Sequence, residues 1–138
     1  MRNSFIYYGF TKEKILNALL NISKEINYIS VLVSNLNQKE SISPRDYINY
    51  DIISGVGRID SLTSNDNSFD KLNNFHSKRR DWLFGYFSYD LKNEIEDLKS
   101  NNKDNFIADN LSFFIPEYVI LFNNNKLEIQ TYHSRELC

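Results

Sequence analysis

The run DWLFGYFSYDLKNEIEDL, from Asp81 to Leu98, constrains the fold more than any other part of this chain. In its first half Trp82, Phe84, Tyr86 and Ser88 fall on one side of an extended backbone, and Leu83, Gly85, Phe87 and Tyr89 fall on the other, because successive strand side chains alternate. Both sets are largely apolar, which predicts a strand in the middle of a sheet. Beyond Asp90, Leu91, Ile95 and Leu98 recur at four- and three-residue steps, while Lys92, Asn93, Glu94, Glu96 and Asp97 fill the remaining positions. That is the pattern of a helix with one apolar face. Asp90 is a favoured N-cap residue and marks the change of period. Strand, cap and helix in one short run predict a mixed α+β fold.

The rest of the chain extends this prediction. In TKEKILNALLNISKEI, residues Ile15, Leu19, Ile22 and Ile26 recur at helical spacing beside Leu16 and Leu20, with Thr11 placed to cap the first turn. YISVLVS is β-branched and nearly continuously apolar, as expected of a strand covered on both faces. Residues 35–49 turn polar around Pro44 and read as a surface loop. YDIISGVGRIDSL resumes strand character, and Gly55 and Gly57 within it mark a bulge or a close backbone approach in preference to a phosphate cradle. Phe69, Leu72 and Phe75 have the spacing of a short helix. In LSFFIPEYVILF, Pro116 removes a backbone donor and suggests an edge position or a bulge. LEIQTY then alternates after the turn residues NNNK and predicts a hairpin with the strand before it. The whole reads as a mostly antiparallel sheet with two to three helices, in a single domain over residues 1–138.

Charge and composition exclude several functions. A formal net charge of -2 leaves no basic field to hold phosphate backbones or anionic lipid, so nucleic acid is not an expected partner. No uncharged apolar run approaches the roughly 20 residues that span a bilayer, and MRNSFIYYGF lacks the apolar stretch and cleavage site of a signal peptide. A cytoplasmic protein with no membrane partner is expected. The one cysteine, Cys138, excludes an internal disulfide framework and a cysteine-based zinc cluster within one chain.

Residues able to do chemistry are present but not arranged in a recognisable set. Glu94, Glu96 and Asp97 cluster in sequence, yet Glu94 and Glu96 lie two apart on a helix and point to different sides, so a solvated face is expected. His76 and His133 lack companions at metal-ligand spacing and read as surface histidines. Neither Ser34 nor Ser88 sits in a nucleophile elbow. Lys78, Arg79 and Arg80 form a short basic run of the kind that is usually solvated.

DWLFGYFSYDLKNEIEDL followed by FFIPEYVILF resembles the N-terminal domain of the chorismate-utilising enzymes, the component I proteins of anthranilate synthase and aminodeoxychorismate (para-aminobenzoate) synthase. In that family a glycine-aromatic strand runs into Ser-Tyr-Asp or Gly-Tyr-Asp and a helix, and a strand with an internal proline follows. VLVSN and YDIISGVG are similar to the family's earlier pair of strands, so the resemblance runs in matching order from Tyr28 to Tyr132. The wording of SYDLKNEIEDL is most like the aminodeoxychorismate synthase branch.

The resemblance implies that the complete enzyme aminates chorismate to 4-amino-4-deoxychorismate for folate synthesis. Ammonia would come from a glutamine amidotransferase subunit, and magnesium would be bound in a C-terminal catalytic domain absent from this chain. The chain itself is then the non-catalytic N-terminal part, whose partners are its own catalytic domain and that amidotransferase. The resemblance also implies a tryptophan-like pocket for a small amino-acid ligand at Leu32, Val33, Ser34, Tyr50 and Asp51, and it makes Trp82, Phe84 and Asp90 a structural joint. Val33 stands where tryptophan-regulated members carry glutamate, and a valine cannot accept a bond from an ammonium group, which weighs against the anthranilate branch. A free-standing small-molecule or protein binding module of the same fold, or the N-terminal domain of an anthranilate synthase component I, is the alternative.

Overall fold

The computed structural model describes residues 1–34, 50–96 and 109–134. Along the chain the elements are β1 (Asn3–Tyr8), α1 (Lys12–Ser23), β2 (Ile29–Val33), β3 (Ile52–Val56), β4 (Asp60–Ser64), α2 (Ser68–Lys78), β5 (Phe84–Phe87), a 3-10 turn (Tyr89–Leu91), α3 (Lys92–Glu96), β6 (Leu111–Ile115), β7 (Tyr118–Asn123) and β8 (Lys126–Thr131). This is a mixed α+β architecture whose strand pairings are antiparallel. The expected loop over residues 35–49, Leu98 and Cys138 lie outside the described residues. By contacts, the chain, whose length predicts one domain, groups into two compact units, Met1–Gly57 with Pro116–Cys138, and Arg58–Ile115.

In the first unit a five-stranded sheet runs in the order β1-β8-β7-β3-β2. Thr11 caps α1 as its sequence position predicts: its backbone is extended and its hydroxyl accepts the Lys14 N–H at 3.3 Å. The register places Ile52 opposite Phe122 and Phe122 opposite Leu127, on one face of the sheet. These three form a core with Val56 and with Ile15 and Leu19 of α1, and Leu16, Ile22, Ile26 and Ile29 pack around it. The expected hairpin is β7–β8, closed by Asn124 and Asn125. Asn124 adopts a φ of 58°, a left-handed conformation that asparagine tolerates better than most residues.

Two expectations for this unit are corrected. YISVLVS contains a strand, but β2 is an edge strand, with Val31, Leu32 and Val33 37%, 58% and 42% exposed, and is not covered on both faces. LSFFIPEYVILF does not carry Pro116 at an edge position or a bulge within a strand. It is β6 in one sheet and β7 in the other, separated by Pro116 and Glu117. Proline has no N–H to contribute to a ladder, and its carbonyl is claimed by Arg2 Nη2 at 2.5 Å. The same guanidinium donates to the carbonyls of Glu117 at 3.2 Å and Gln130 at 3.4 Å, and lies 4.5 Å from the centre of the Tyr132 ring. Gly57 shows the close approach expected of it: φ is +74°, and a Cβ there would meet Glu117 Cβ at 2.9 Å. Gly55 instead keeps regular register between Ser30 and Val119, without a bulge.

The second unit is a three-stranded sheet, β4-β6-β5, with α2 and α3. Here the strand expected across Trp82 to Tyr89 shrinks to Phe84–Phe87, and it lies at the edge, not in the centre. Phe84 is buried, but Tyr86 and Phe87 are about half exposed. Aromatic alternation selected a strand correctly and misjudged its neighbours, because stacking on other rings can replace burial between strands. Phe87 stacks on Phe69 of α2 with centroids 6.0 Å apart and meets Phe113 edge-on at 5.0 Å. The short helix expected around Phe69 to Phe75 is α2.

Candidate functional site

The β2–β3 register brings part of the expected ligand site together. Val33 lies opposite Ile52, and just beyond it the Ser34 N–H donates to the Asp51 carbonyl at 2.9 Å. Lys12 Nζ donates to the Ser34 carbonyl at 2.9 Å. Asp51 is in turn held by β7, since its N–H donates to the Phe122 carbonyl at 2.8 Å, and its Oδ2 accepts the Asn124 N–H at 3.0 Å. Its carboxylate therefore fixes the β7–β8 turn. Tyr50 precedes it and is half-buried. Leu32 and Val33 are neighbours in a strand and point to opposite faces of the sheet. At this corner the Lys12 ammonium is held on the Ser34 carbonyl and the Asp51 carboxylate on the Asn124 N–H. No nucleophile and base are paired in these contacts.

Trp82 and Phe84 stack at 6.0 Å, and Phe84 contacts Phe114 at 6.1 Å, so both aromatic residues of the expected joint lie in one cluster. Asp90 is not the N-cap. The chain turns two residues earlier, with Ser88 in the cap position of the 3-10 turn and Asp90 inside it. The Ser88 N–H donates to the Asn110 carbonyl at 2.8 Å, but its hydroxyl makes no cap bond and is buried without a hydrogen-bond partner among the described residues. A buried unsatisfied hydroxyl costs about 1 to 3 kcal/mol. Ser88→Ala is therefore expected to leave the melting temperature unchanged or raise it; a clear drop in a thermal scan would show that the hydroxyl is satisfied in solution.

Glu94 overturns the expectation of a solvated acidic face. Its Oε1 accepts the Ser68 N–H at 2.9 Å, and its Oε2 accepts the Ser68 hydroxyl at 2.7 Å and the Asn110 side-chain amide at 3.0 Å. Asn67, at the N-cap of α2, makes no side-chain cap bond. A carboxylate from α3 thus satisfies an amide that the helix leaves open. Burial is the largest single influence on Glu94 and favours the neutral acid, but the hydrogen bonds from Ser68 and Asn110 together outweigh it and hold the carboxyl below its ordinary value of 4.5. The sign follows from linkage: the stabilisation is fully present above pH 4.5 and is lost as pH falls through the lowered folded value. Glu94→Gln should be less stable than the parent at neutral pH, with the difference closing in acid, as read by denaturant melts across the pH range. A constant difference would sink the assignment.

The other pairing not foreseen is His133 Nε2 with Glu117 Oε1, 2.7 Å apart and half-exposed, with the Asn3 amide donating to the His133 carbonyl at 3.1 Å. Extending the hairpin register one step beyond Tyr118 opposite Thr131 sets Glu117 opposite Tyr132, and His133 on the other face, so strand alternation does not foretell this pair. Nothing in the sequence marked Glu94 either, which meets a serine 26 residues away.

Fold and contacts together define a mixed α+β protein of antiparallel sheets, with Lys12, Ser34 and Asp51 hydrogen-bonded at the end of β2 and the Glu94 carboxylate of α3 bonded to Ser68 at the start of α2. No family model matches the chain, and no curated protein or solved structure matches it. Among the described residues no helix is long and apolar enough to cross a membrane, and no three His, Cys, Asp or Glu side chains are placed to hold a metal ion.

Proposed function

We propose that this chain is the non-catalytic N-terminal part of a cytoplasmic aminodeoxychorismate synthase component I, a supporting lobe for chorismate amination carried out by a separate catalytic domain. The observation that carries the reading is the run from Asp81 to Leu98, whose aromatic half lies in β5 and whose acidic half enters α3, with Ser88-Tyr89-Asp90 between them. This is the strand, joint and helix order that the resemblance implies. The antiparallel α+β architecture and the strand break at Pro116 are compatible with it. Magnesium and the glutamine amidotransferase belong to the complete enzyme in this reading.

The corner formed by Lys12, Ser34 and Asp51 is the proposed place for a small amino-acid ligand. Val33 offers no acceptor for its ammonium group, so calorimetry with tryptophan should show weak binding or none; tight binding would favour the anthranilate branch. A second reading, a free-standing binding module, is favoured by the exposed apolar residues of β2.

The deciding experiment incubates the purified chain with chorismate, ammonia and magnesium, then adds a separately produced chorismate-aminating domain. The chain alone should consume no chorismate, and its addition should raise amination by the catalytic domain. Turnover by the chain alone, or no effect on and no complex with that domain, would defeat the proposal.

A further inference from the structure

The outer edge of β2 has a backbone polarity set by the bonds at its two ends. The Gly57 N–H donates to the Tyr28 carbonyl at 2.8 Å, and the Ser34 N–H donates to the Asp51 carbonyl at 2.9 Å. Between them Ser30 lies opposite Gly55, and Leu32 opposite Ile53. Hydrogen-bonded and non-hydrogen-bonded pairs alternate in an antiparallel ladder. Ser30 and Leu32 therefore aim their N–H and C=O at β3, while Ile29, Val31 and Val33 aim theirs outward. Among the described residues no strand takes them. The strand also lacks the devices that normally blunt an edge, having no proline, no lysine and no bulge, and three consecutive apolar side chains on it are exposed.

This spacing is self-complementary. Turned antiparallel about a two-fold axis at Val31, a second β2 sets Val31 against its own copy and Ile29 against Val33, each a narrow pair that exchanges N–H···O bonds in both directions. Leu32 then falls opposite Ser30 on the other face, so the pairing covers all three exposed residues. Charge permits it. Like charges directly across a ladder are destabilising, and the axis would place any charge in the strand near its copy, yet Ile29 to Ser34 carry none.

We infer that β2 is a homophilic docking edge: a second copy of this chain adds its own β2 antiparallel about Val31, joining two five-stranded sheets into one. One strand pair is small beside the roughly 1,000 Å² expected of a stable interface, so the association is weak and dependent on concentration. It does not depend on the chorismate reading.

Sedimentation velocity over a concentration series should show the parent shifting from monomer toward dimer. Val31→Lys should remain monomeric at low salt and regain association as salt screens the facing charges. Its circular dichroism and melting curve should show that it remains folded. In a Cys138→Ser background, Val31→Cys should form an intermolecular disulfide on oxidation. The narrow pair sets its Cα atoms about 5.5 Å apart, within disulfide range. Leu32→Cys should crosslink far less, because its partner across the axis is Ser30. A parent that stays monomeric throughout, or equal crosslinking at Val31 and Leu32, would overturn the inference.

Discussion

Gly85→Ala should collapse the β4-β6-β5 sheet. A Cβ at Gly85 would stand 1.9 Å from the Ser112 carbonyl oxygen, 2.6 Å from Phe113 Cα and 2.8 Å from Phe113 Cδ1. Two of these contacts are with backbone, so no rotamer change relieves them. The register explains the crowding: Gly85 lies directly opposite Phe113, whose ring covers the space a side chain would need. Overpacking of this kind costs about 3 kcal/mol, enough to lower the melting temperature by roughly 10 °C. A thermal melt of the variant matching that of the parent would show that β5 and β6 do not approach as described.

Phe122→Ala should be the most damaging truncation in the five-stranded sheet. Phe122 is 1% exposed and sits on a central strand, between Ile52 of β3 and Leu127 of β8, in the core beneath α1. Removing a buried phenylalanine loses its transfer free energy and leaves a cavity that rigid strands cannot close, at a cost of about 3 to 5 kcal/mol. Urea denaturation should show a lower midpoint with an unchanged slope. Leu20→Ala is the control. It removes a leucine from α1 that is 63% exposed, and its effect should stay within about 0.5 kcal/mol. Equal losses in the two variants would mean that the core is not centred on Phe122.

The difference between these residues marks how far the sequence could be read. Leu19 and Leu20 are adjacent leucines, and only the helical period distinguishes the buried one from the exposed one. That period, with Thr11 as cap, was legible because helix signals are local. The β7–β8 hairpin was legible for the same reason, since its turn residues and both flanking alternations lie within a few positions of one another. Part of the candidate site came only from the resemblance, which set VLVSN and YDIISGVG as a pair of strands; the Ser34–Asp51 hydrogen bond joins their ends.

What could not be read depends on which elements become neighbours. A strand buried between two others and an apolar strand at an edge have the same composition, so β2 and β5 both looked central while both lie at edges. Asp90 suited an N-cap by residue type, but the tertiary path turned at Ser88.

Local periodicity and turn chemistry in the sequence alone were enough to determine that this protein is a mixed α+β chain of helices and mostly antiparallel strands. Tertiary structure alone decided the strand order, the break at Pro116 between two sheets, the turning inward of Glu94 to cap α2, and the exposure of Val31, Leu32 and Val33. The physical reason is range. Propensity and period act over a few residues, whereas strand neighbours and partners such as Ser68 and Glu94 are selected by packing between segments far apart in the chain.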